Sequence, residues 1–112
     1  MNDAHFDQDG FIRDPAYWDE ALARELAARE GIARLNTAHW AVIHALRKYF
    51  FATDGVPVMR NICRDAGLEE HCVSELLIDP RRAWRIAGLP NPGEEAKAYM
   101  QTAEFPDRDD PA

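Results

Sequence analysis

The sequence has few of the features that mark membrane proteins, disulfide-rich proteins and metal proteins. Among its 112 residues there are only two cysteines, Cys63 and Cys72. Both lie in apolar helical patterns, where a free cysteine is usually a small buried hydrophobe. A structural zinc site needs four ligands, usually as two closely spaced pairs, and no run of about 18 apolar residues occurs. The sequence therefore predicts no disulfide framework, no metal site, no cofactor and no membrane span.

Positive charge is also scarce. The formal net charge is −7, which disfavours long-range attraction to nucleic acid. The N-terminal segment MNDAHFDQDG is polar and acidic, unlike a signal peptide or an Arg-rich transit peptide. We therefore expect a cytoplasmic protein.

The sequence signatures of the common enzyme classes are missing. There is no Gly-rich phosphate loop, no nucleophile elbow and no Cys–His pair in a motif context. Carboxylates are plentiful, but on helical surfaces they usually form a solvated face, and no acid–base pair converges. The residues alone therefore favour a binding or regulatory protein over an enzyme.

What the sequence does contain is a dense series of helix signals. A capping Asp precedes proline at Asp14-Pro15 and again at Asp79-Pro80. The strongest prediction is a helix with a wide apolar face that Thr37 caps. Further signals predict helices that begin near residues 15, 57, 69 and 80, and short connections make successive helices neighbours.

The fold prediction is an all-α domain of about five helices with a short N-terminal β-hairpin and a C-terminal arm. Asp9-Gly10 between apolar residues predicts the hairpin, and a plain turn is the alternative. We assign residues 1–92 to the helical domain. Residues 93–112 are predicted to form a mobile arm and tail, because EFPDRDDPA is acidic, contains proline and is poor in apolar residues.

Residues 57–77 resemble a helix-turn-helix, so a DNA-binding regulator is one alternative function. The second helix of this element would enter the major groove with its N-terminal end. That end carries Glu69 and Glu70, with Glu75 one turn later. Because phosphates repel carboxylates, this alternative is the weaker one.

The segment RIAGLPNPG, residues 85–93, covers the end of the last predicted helix and a proline-containing stretch of restricted flexibility after it. Pro90 and Pro92 fix their own φ angles and push the preceding residues towards extended geometry. The segment therefore leaves the helix as an extended arm of defined direction. A simple helix stop and linker is the alternative.

This segment closely resembles the C-terminal signature of the DsrC/TusE sulfur-carrier family, the gamma-subunit-like proteins of dissimilatory sulfite reductase. DGFI, LNTAHWAVIHALRKYF and GVPVMRNICRDAGL resemble further segments of that family in the same order. The resemblance covers most of the chain. It implies a small helical domain with an N-terminal hairpin and a flexible C-terminal arm.

In that family a cysteine on the arm carries sulfur, and a second cysteine on the last helix can close on it. When the C-terminal pattern of the family is aligned with this chain, the helix cysteine corresponds to Trp84 and the arm cysteine to Glu95. Sulfur transfer needs a thiolate, which neither residue supplies. We therefore expect a divergent member that acts in sulfur metabolism by protein–protein interaction or regulation. The alternative is a sulfur-relay carrier that uses Cys63 or Cys72.

The predicted partner-binding surface lies on the arm and on the helix before it. It comprises Arg81, Arg82, Arg85, Leu89, Pro90 and Pro92. The partner implied by the resemblance is a protein, a sulfite-reductase-like or sulfur-relay component. For the arginines, a solvated basic helix face is the alternative.

Overall fold

The structure is a computed structural model that describes residues 3–101. Its α-helices are α1 (Glu20–Arg29), α2 (Thr37–Thr53), α3 (Met59–Asp65), α4 (Cys72–Leu77), α5 (Pro80–Ile86) and α6 (Glu94–Gln101). Two short 3-10 helices, Asp3–His5 and Pro15–Tyr17, precede α1. The described part of the chain contains no β-strand, so the predicted all-α class is confirmed. No helix in residues 3–101 has the length and apolar character needed to cross a membrane.

Helices α2 and α5 form the centre of the fold. Helix α5 packs against α1, α2, α4 and α6, while α2 also contacts α3 and α4. The inner face of α2 buries Val42, Ile43 and Leu46, and α5 buries Trp84 and Ile86. Since α5 is covered on most sides, its C-terminal end fixes the direction in which the chain continues.

The predicted N-terminal hairpin is wrong. Phe6 and Ile12 form one isolated antiparallel bridge, and Asp7 N donates to Phe11 O at 2.8 Å. The Asp7 carboxylate accepts from Phe11 N at 3.0 Å and so closes the loop with its side chain. A 3-10 helix precedes this loop and another begins at Pro15, so no residues remain to extend a ladder.

Two helix starts differ from those predicted. Asp14-Pro15 opens only the 3-10 helix, and α1 begins later behind Asp19, whose side chain accepts from Leu22 N at 2.8 Å. Helix α2 is capped by Asn36, which exchanges hydrogen bonds with His39 in a capping box. Caps of this kind satisfy backbone donors that the first helical turn leaves free.

Sequence reasoning missed α6, which lies within residues 93–112, the segment predicted to be a mobile arm and tail. Met100 is fully buried and Lys97 is only 7% exposed, and the helix packs against α5. Residues 89–93 thus connect two packed helices. Residues 102–112 lie outside the described part, so the predicted domain boundary at residue 92 and the mobility of the tail stay predictions.

Candidate functional site

The candidate site is built around the C-terminal end of α5. Gly88 has a φ of +70° and reverses the chain. Gly88 N donates to Arg85 O at 3.1 Å, and Leu89 N donates to Trp84 O at 3.2 Å. These two bonds form a Schellman motif, which satisfies carbonyls that the last helical turn leaves free. Trp84 and Leu89 are both fully buried and complete its apolar contact.

Two side chains from other elements hold the remaining carbonyls of this turn. Trp18 Nε1 donates to Ile86 O at 2.9 Å, and Arg47 donates to Ala87 O at 2.9 Å and Gly88 O at 3.1 Å. The Arg47 guanidinium lies 4.0 Å from the centre of the Trp18 ring. Burial lowers the pKa of Arg47, but arginine stays protonated in proteins. The charge of Arg47 therefore complements the negative end of the helix dipole.

Trp84, at the position where the resemblance places the helix cysteine, lies in the core. It is fully buried, as its apolar character predicts. Trp84 Nε1 donates to Pro90 O at 2.7 Å, and its ring meets Phe50 edge to face at 5.9 Å. The indole thus packs the interior and also sets the direction in which the arm leaves α5.

The arm is tied to the N-terminal loop by a polar cluster of Asp7, Asp9, Asn91 and Lys97, which we call the latch. Asn91 Nδ2 donates to Asp7 Oδ2 at 2.9 Å, and Lys97 Nζ donates to Asp9 Oδ2 at 2.6 Å. Lys97 also pairs with Glu94 at 3.0 Å. The latch therefore joins two parts of the chain that are more than 80 residues apart in sequence.

The latch shifts the pKa of two of its members. Burial on its own raises the pKa of Asp7, but hydrogen bonds from Asn91 and from two backbone amides outweigh it and lower the pKa below the ordinary value. Hydrogen bonds to Asp9 and then to Glu94 raise the pKa of Lys97. Both shifts favour the charged forms.

Glu95, at the position where the resemblance places the arm cysteine, is exposed on the first turn of α6. It lines an open cleft of about 330 Å³ between α6 and the segment before α3. The cleft is lined by Val56, Pro57, Val58, Pro92, Glu95, Ala96 and Tyr99. The structure thus separates the two family positions, with Trp84 in the core and Glu95 at the surface.

The six predicted partner-binding residues differ in burial and in ion pairing. Leu89 is fully buried and belongs to the core, whereas Pro90 and Pro92 are half-buried. Arg82 and Arg85 both pair with Glu30, at 2.9 and 3.3 Å, so the carboxylate of this residue, at the C-cap of α1, neutralises much of their charge.

Arg81 differs from the other two arginines. Among residues 3–101 it has no ion pair, and its buried Nε has no hydrogen-bond partner. Within the predicted surface, Arg81 is therefore the cation with charge available for a partner.

The two cysteines form a feature that sequence reasoning did not predict. Cys63 in α3 and Cys72 in α4 are joined by a disulfide, with their Cα atoms 5.7 Å apart. Their exposed fractions are 0% and 2%, so the predicted burial is confirmed, but the expectation of free thiols is wrong.

The turn after α3 explains the cysteine pairing. Gly67 has a φ of +78°, and Leu68 N donates to Cys63 O at 2.8 Å. This turn brings the start of α4 back onto α3. The signal available in the sequence was the position of both cysteines on the inner faces of two helices joined by a tight turn.

These features define the class as a small all-α protein whose fifth helix ends in a glycine-capped, proline-stiffened segment. A family model described as "DsrC like protein" matches residues 1–94. The chain belongs to this family. The match ends one residue before Glu95, so almost all of α6 lies beyond it.

Named relatives agree with the family. The chain is 37% identical to "Sulfurtransferase TusE" of Sodalis glossinidius (strain morsitans), a match that covers 77% of this chain and 87% of the relative. "Sulfurtransferase TusE" of Buchnera aphidicola subsp. Schizaphis graminum is 33% identical, over 77% of this chain and 82% of that protein.

Solved structures show the same fold. The oxidized gamma-subunit of the dissimilatory sulfite reductase (DsrC) from Archaeoglobus fulgidus matches with a TM-score of 0.67 and 31% identity, covering 80% of this chain and 89% of that one. Dissimilatory sulfite reductase I (DsrI) matches with a TM-score of 0.70 and 28% identity, covering 79% of this chain and 86% of that one. These names support a role in sulfur metabolism or sulfur relay.

The comparisons correct the prediction that the chain is not an enzyme. The relatives carry the name of an enzyme, a sulfurtransferase, and that finding overturns the prediction. No relative named above supports binding of nucleic acid, and Glu69, Glu70 and Glu75 are all exposed at the start of α4.

Proposed function

We propose that the chain is a sulfur-relay protein in which Cys63 and Cys72 perform the sulfur chemistry. Its family and the sulfurtransferase name of its relatives support the class of reaction. The pairing of the two cysteines supports the assignment of the site. They are the chain's only cysteines, and Trp84 and Glu95 occupy the positions where the resemblance places thiols.

The chemistry begins with the reduced pair. The thiolate of one cysteine attacks the outer sulfur of a donor persulfide, so a Cys–S–SH persulfide forms and the donor leaves as a thiolate. In the second step the thiolate of the other cysteine attacks the inner sulfur of this persulfide. The Cys63–Cys72 disulfide forms, and hydrosulfide leaves with the electron pair of the broken bond. The sulfane sulfur is reduced, and the two cysteines are oxidised.

The proposed second step yields the same Cys63–Cys72 disulfide that the structure contains, and this supports the proposal. The pair therefore explains how a chain without an arm thiol takes part in sulfur transfer. A thiol that reduces the disulfide returns the protein to its starting state.

Sulfur loading tests the proposal. The reduced protein is incubated with inorganic polysulfide, alkylated and digested, and the peptides are analysed by mass spectrometry. We expect a mass gain of one sulfur atom on the peptide of Cys63 or Cys72. The single variants Cys63→Ser and Cys72→Ser distinguish the cysteine that accepts sulfur from the cysteine that releases it. The variant that keeps the accepting thiol accumulates persulfide, because it lacks the second thiolate that would release the sulfur as hydrosulfide. Equal sulfur uptake by wild type and by Cys63→Ser/Cys72→Ser, or none by wild type, would contradict the proposal.

We further propose that a sulfur-relay or sulfite-reductase-like partner docks on α5 and the segment that follows it. The available charge of Arg81, in the first turn of α5, and the half-buried Pro90 and Pro92 beyond its C-terminal end support this surface. An acidic partner surface matches the chemistry of Arg81, whereas Glu30 already pairs with Arg82 and Arg85.

Affinity purification from the host tests this surface with Arg81→Glu and the matched control Arg24→Glu, which makes the same charge change on the exposed face of α1. We expect a sulfur-metabolism protein to co-purify with wild type and Arg24→Glu but not with Arg81→Glu. Retention of that protein by Arg81→Glu would place the docking surface elsewhere.

A further inference from the structure

The burial of the cysteine pair sets a requirement on any chemistry it performs. Cys63 and Cys72 are 0% and 2% exposed, so no donor or acceptor reaches their sulfur atoms in this conformation. One of the two helices that carry them has to move. This inference rests on the function proposed for the pair, but it concerns the motion and has its own test.

The C-terminal end of α4 is strained. Ile78, between α4 and α5, has φ +76° and ψ −59°, and Asp79 N donates to Leu77 O at 2.8 Å. This is a γ-turn of the rare form with positive φ, which is unfavourable for a β-branched residue. The Ile78 side chain is 41% exposed, so its burial offsets little of the strain. Strain of this kind persists only where the surroundings hold it in place.

The N-terminal end of α4 is weakly held. His71 stands at the cap position, but no side-chain hydrogen bond caps the helix. Glu69 and Glu75 lie close enough for a hydrogen bond, which raises the pKa of Glu75 and lowers that of Glu69. The negative charge of Glu69 also raises the pKa of Glu75, because the two ionised carboxylates repel each other across the start of α4.

The start of α3 offers a weaker case for movement. Helix α3 also lacks a side-chain N-cap, but its C-terminal end closes in the regular turn at Gly67 with the Leu68–Cys63 hydrogen bond. Of the two helices that carry the cysteines, α4 combines an uncapped start with a strained end. Buried Val73 and Leu77 attach α4 to the core, and the disulfide cross-links it to α3.

We propose that α4 is a redox-controlled gate, which the Cys63–Cys72 disulfide holds closed and which opens when that bond is cut. During a rare local opening of the closed form, an incoming thiolate or hydrosulfide attacks one cysteine sulfur and forms a mixed disulfide or a persulfide. The other cysteine leaves as a thiolate with the electron pair of the broken bond, so no separate oxidant or reductant is needed. Helix α4 then turns about residues 68–71 and Ile78 and brings its sulfur atom to the surface.

Hydrogen exchange measured by mass spectrometry tests the gate on the full chain with the disulfide intact and after reduction. We expect the amides of α4 to exchange about tenfold faster in the reduced protein, while those of residues 42–46 in α2 keep their rates. Cys63→Ser/Cys72→Ser is expected to behave like the reduced protein without any reductant. Equal exchange of α4 in both states, or an equal increase along the whole chain, would overturn the gate.

Two variants at Ile78 test the strain. In the Cys63→Ser/Cys72→Ser background, Ile78→Gly removes the strain of the closed turn and is expected to slow the exchange of α4. Ile78→Ala also removes most of the side chain but keeps the Cβ atom, so it is the matched control and is expected to leave the exchange fast. Slowing by Ile78→Ala to the same extent as by Ile78→Gly would show that backbone strain does not drive opening.

Different experimental outcomes would exclude the gate and the proposed function. If the protein takes up sulfur but the hydrogen exchange of α4 does not change on reduction, the gate is excluded and the proposed function still holds. If the hydrogen exchange of α4 becomes faster on reduction but the protein takes up no sulfur, the gate is supported and the proposed function is excluded.

Discussion

Trp84 shows at the scale of a single residue how the fold uses a position where the resemblance places a cysteine. Its ring is buried in the core, and its Nε1 donates to Pro90 O at the start of the arm. The residue therefore links the packing of α5 to the geometry of the arm. A thiol at this position would leave most of the indole volume empty.

Replacing Trp84 tests this role. We expect Trp84→Ala to lower the free energy of unfolding by about 3–5 kcal/mol, because it removes a large buried ring and leaves a cavity. Trp84→Phe keeps a ring but leaves Pro90 O without its donor, so we expect a loss of about 1–2 kcal/mol. Urea unfolding of both variants gives these values. A loss below about 1 kcal/mol for Trp84→Ala would place the ring at the surface instead.

Gly88 and Gly67 allow a matched comparison of single substitutions. Both have positive φ, but a Cβ at Gly88 would overlap the Trp18 ring, whereas a Cβ at Gly67 would meet no atom within 4 Å. Gly67→Ala is therefore expected to cost only the backbone strain of about 1–2 kcal/mol. We expect Gly88→Ala to cost about 1–3 kcal/mol more, the usual range for an overpacked site. Equal costs in urea unfolding would show that Trp18 does not define the turn.

Helix α6 shows at the scale of an element what the sequence could not supply. EEAKAYMQ has favourable helix propensity, but an isolated helix of eight residues is unstable in water. Its packing depends on the burial of Met100 and on the contact of Lys97 with Asp9. Both depend on distant parts of the chain, so local composition predicted an arm and not a helix.

The elements that were predicted correctly are those with local determinants. Asp79 caps α5 by accepting from Arg82 N at 2.8 Å, as the Asp-Pro signal predicts, and Gly88 ends the helix. The disulfide and the Trp18–Ile86 hydrogen bond join residues whose proximity arises only after the helices pack. The N-terminal hairpin failed for the opposite reason, because the Asp9-Gly10 turn exists but has no strands beside it.

The latch makes α6 sensitive to substitution at Asp9. Asp9→Asn removes the negative charge that faces Lys97, so we expect trypsin to cleave after Lys97 faster than in wild type. Asp65→Asn makes the same change at an exposed site on α3 and is expected to leave this cleavage unchanged. Cleavage at the wild-type rate in Asp9→Asn would show that the ion pair does not hold α6.

The pH dependence of the latch follows from the raised pKa of Lys97. A folded-state pKa above the unfolded value gives stability that is complete below the unfolded pKa of lysine and is lost as the pH rises through the folded one. We therefore expect the Lys97 contact of the latch to weaken in alkaline solution, whereas the Asp7 contact, because the pKa of Asp7 is lowered, weakens in acid. An NMR titration of the Lys97 side chain should give a raised pKa in wild type and a lower one in Asp9→Asn, and equal values in both would contradict the assignment.

At the scale of the whole molecule, the chain has the family fold, and Trp84 and Glu95 stand where the resemblance places thiols. The match to the family model ends at residue 94, and residues 94–101 form a packed helix. The Cys63–Cys72 disulfide joins two other helices of the same domain.

The release of hydrosulfide in a single turnover is the most direct test of this account. The reduced protein is loaded with sulfane sulfur from inorganic polysulfide and freed of excess donor, and the hydrosulfide released is measured together with the disulfide formed. The account predicts one hydrosulfide for each Cys63–Cys72 disulfide in wild type and none in Cys63→Ser/Cys72→Ser. Equal release by both proteins, or disulfide formation in loaded wild type without hydrosulfide, would contradict it.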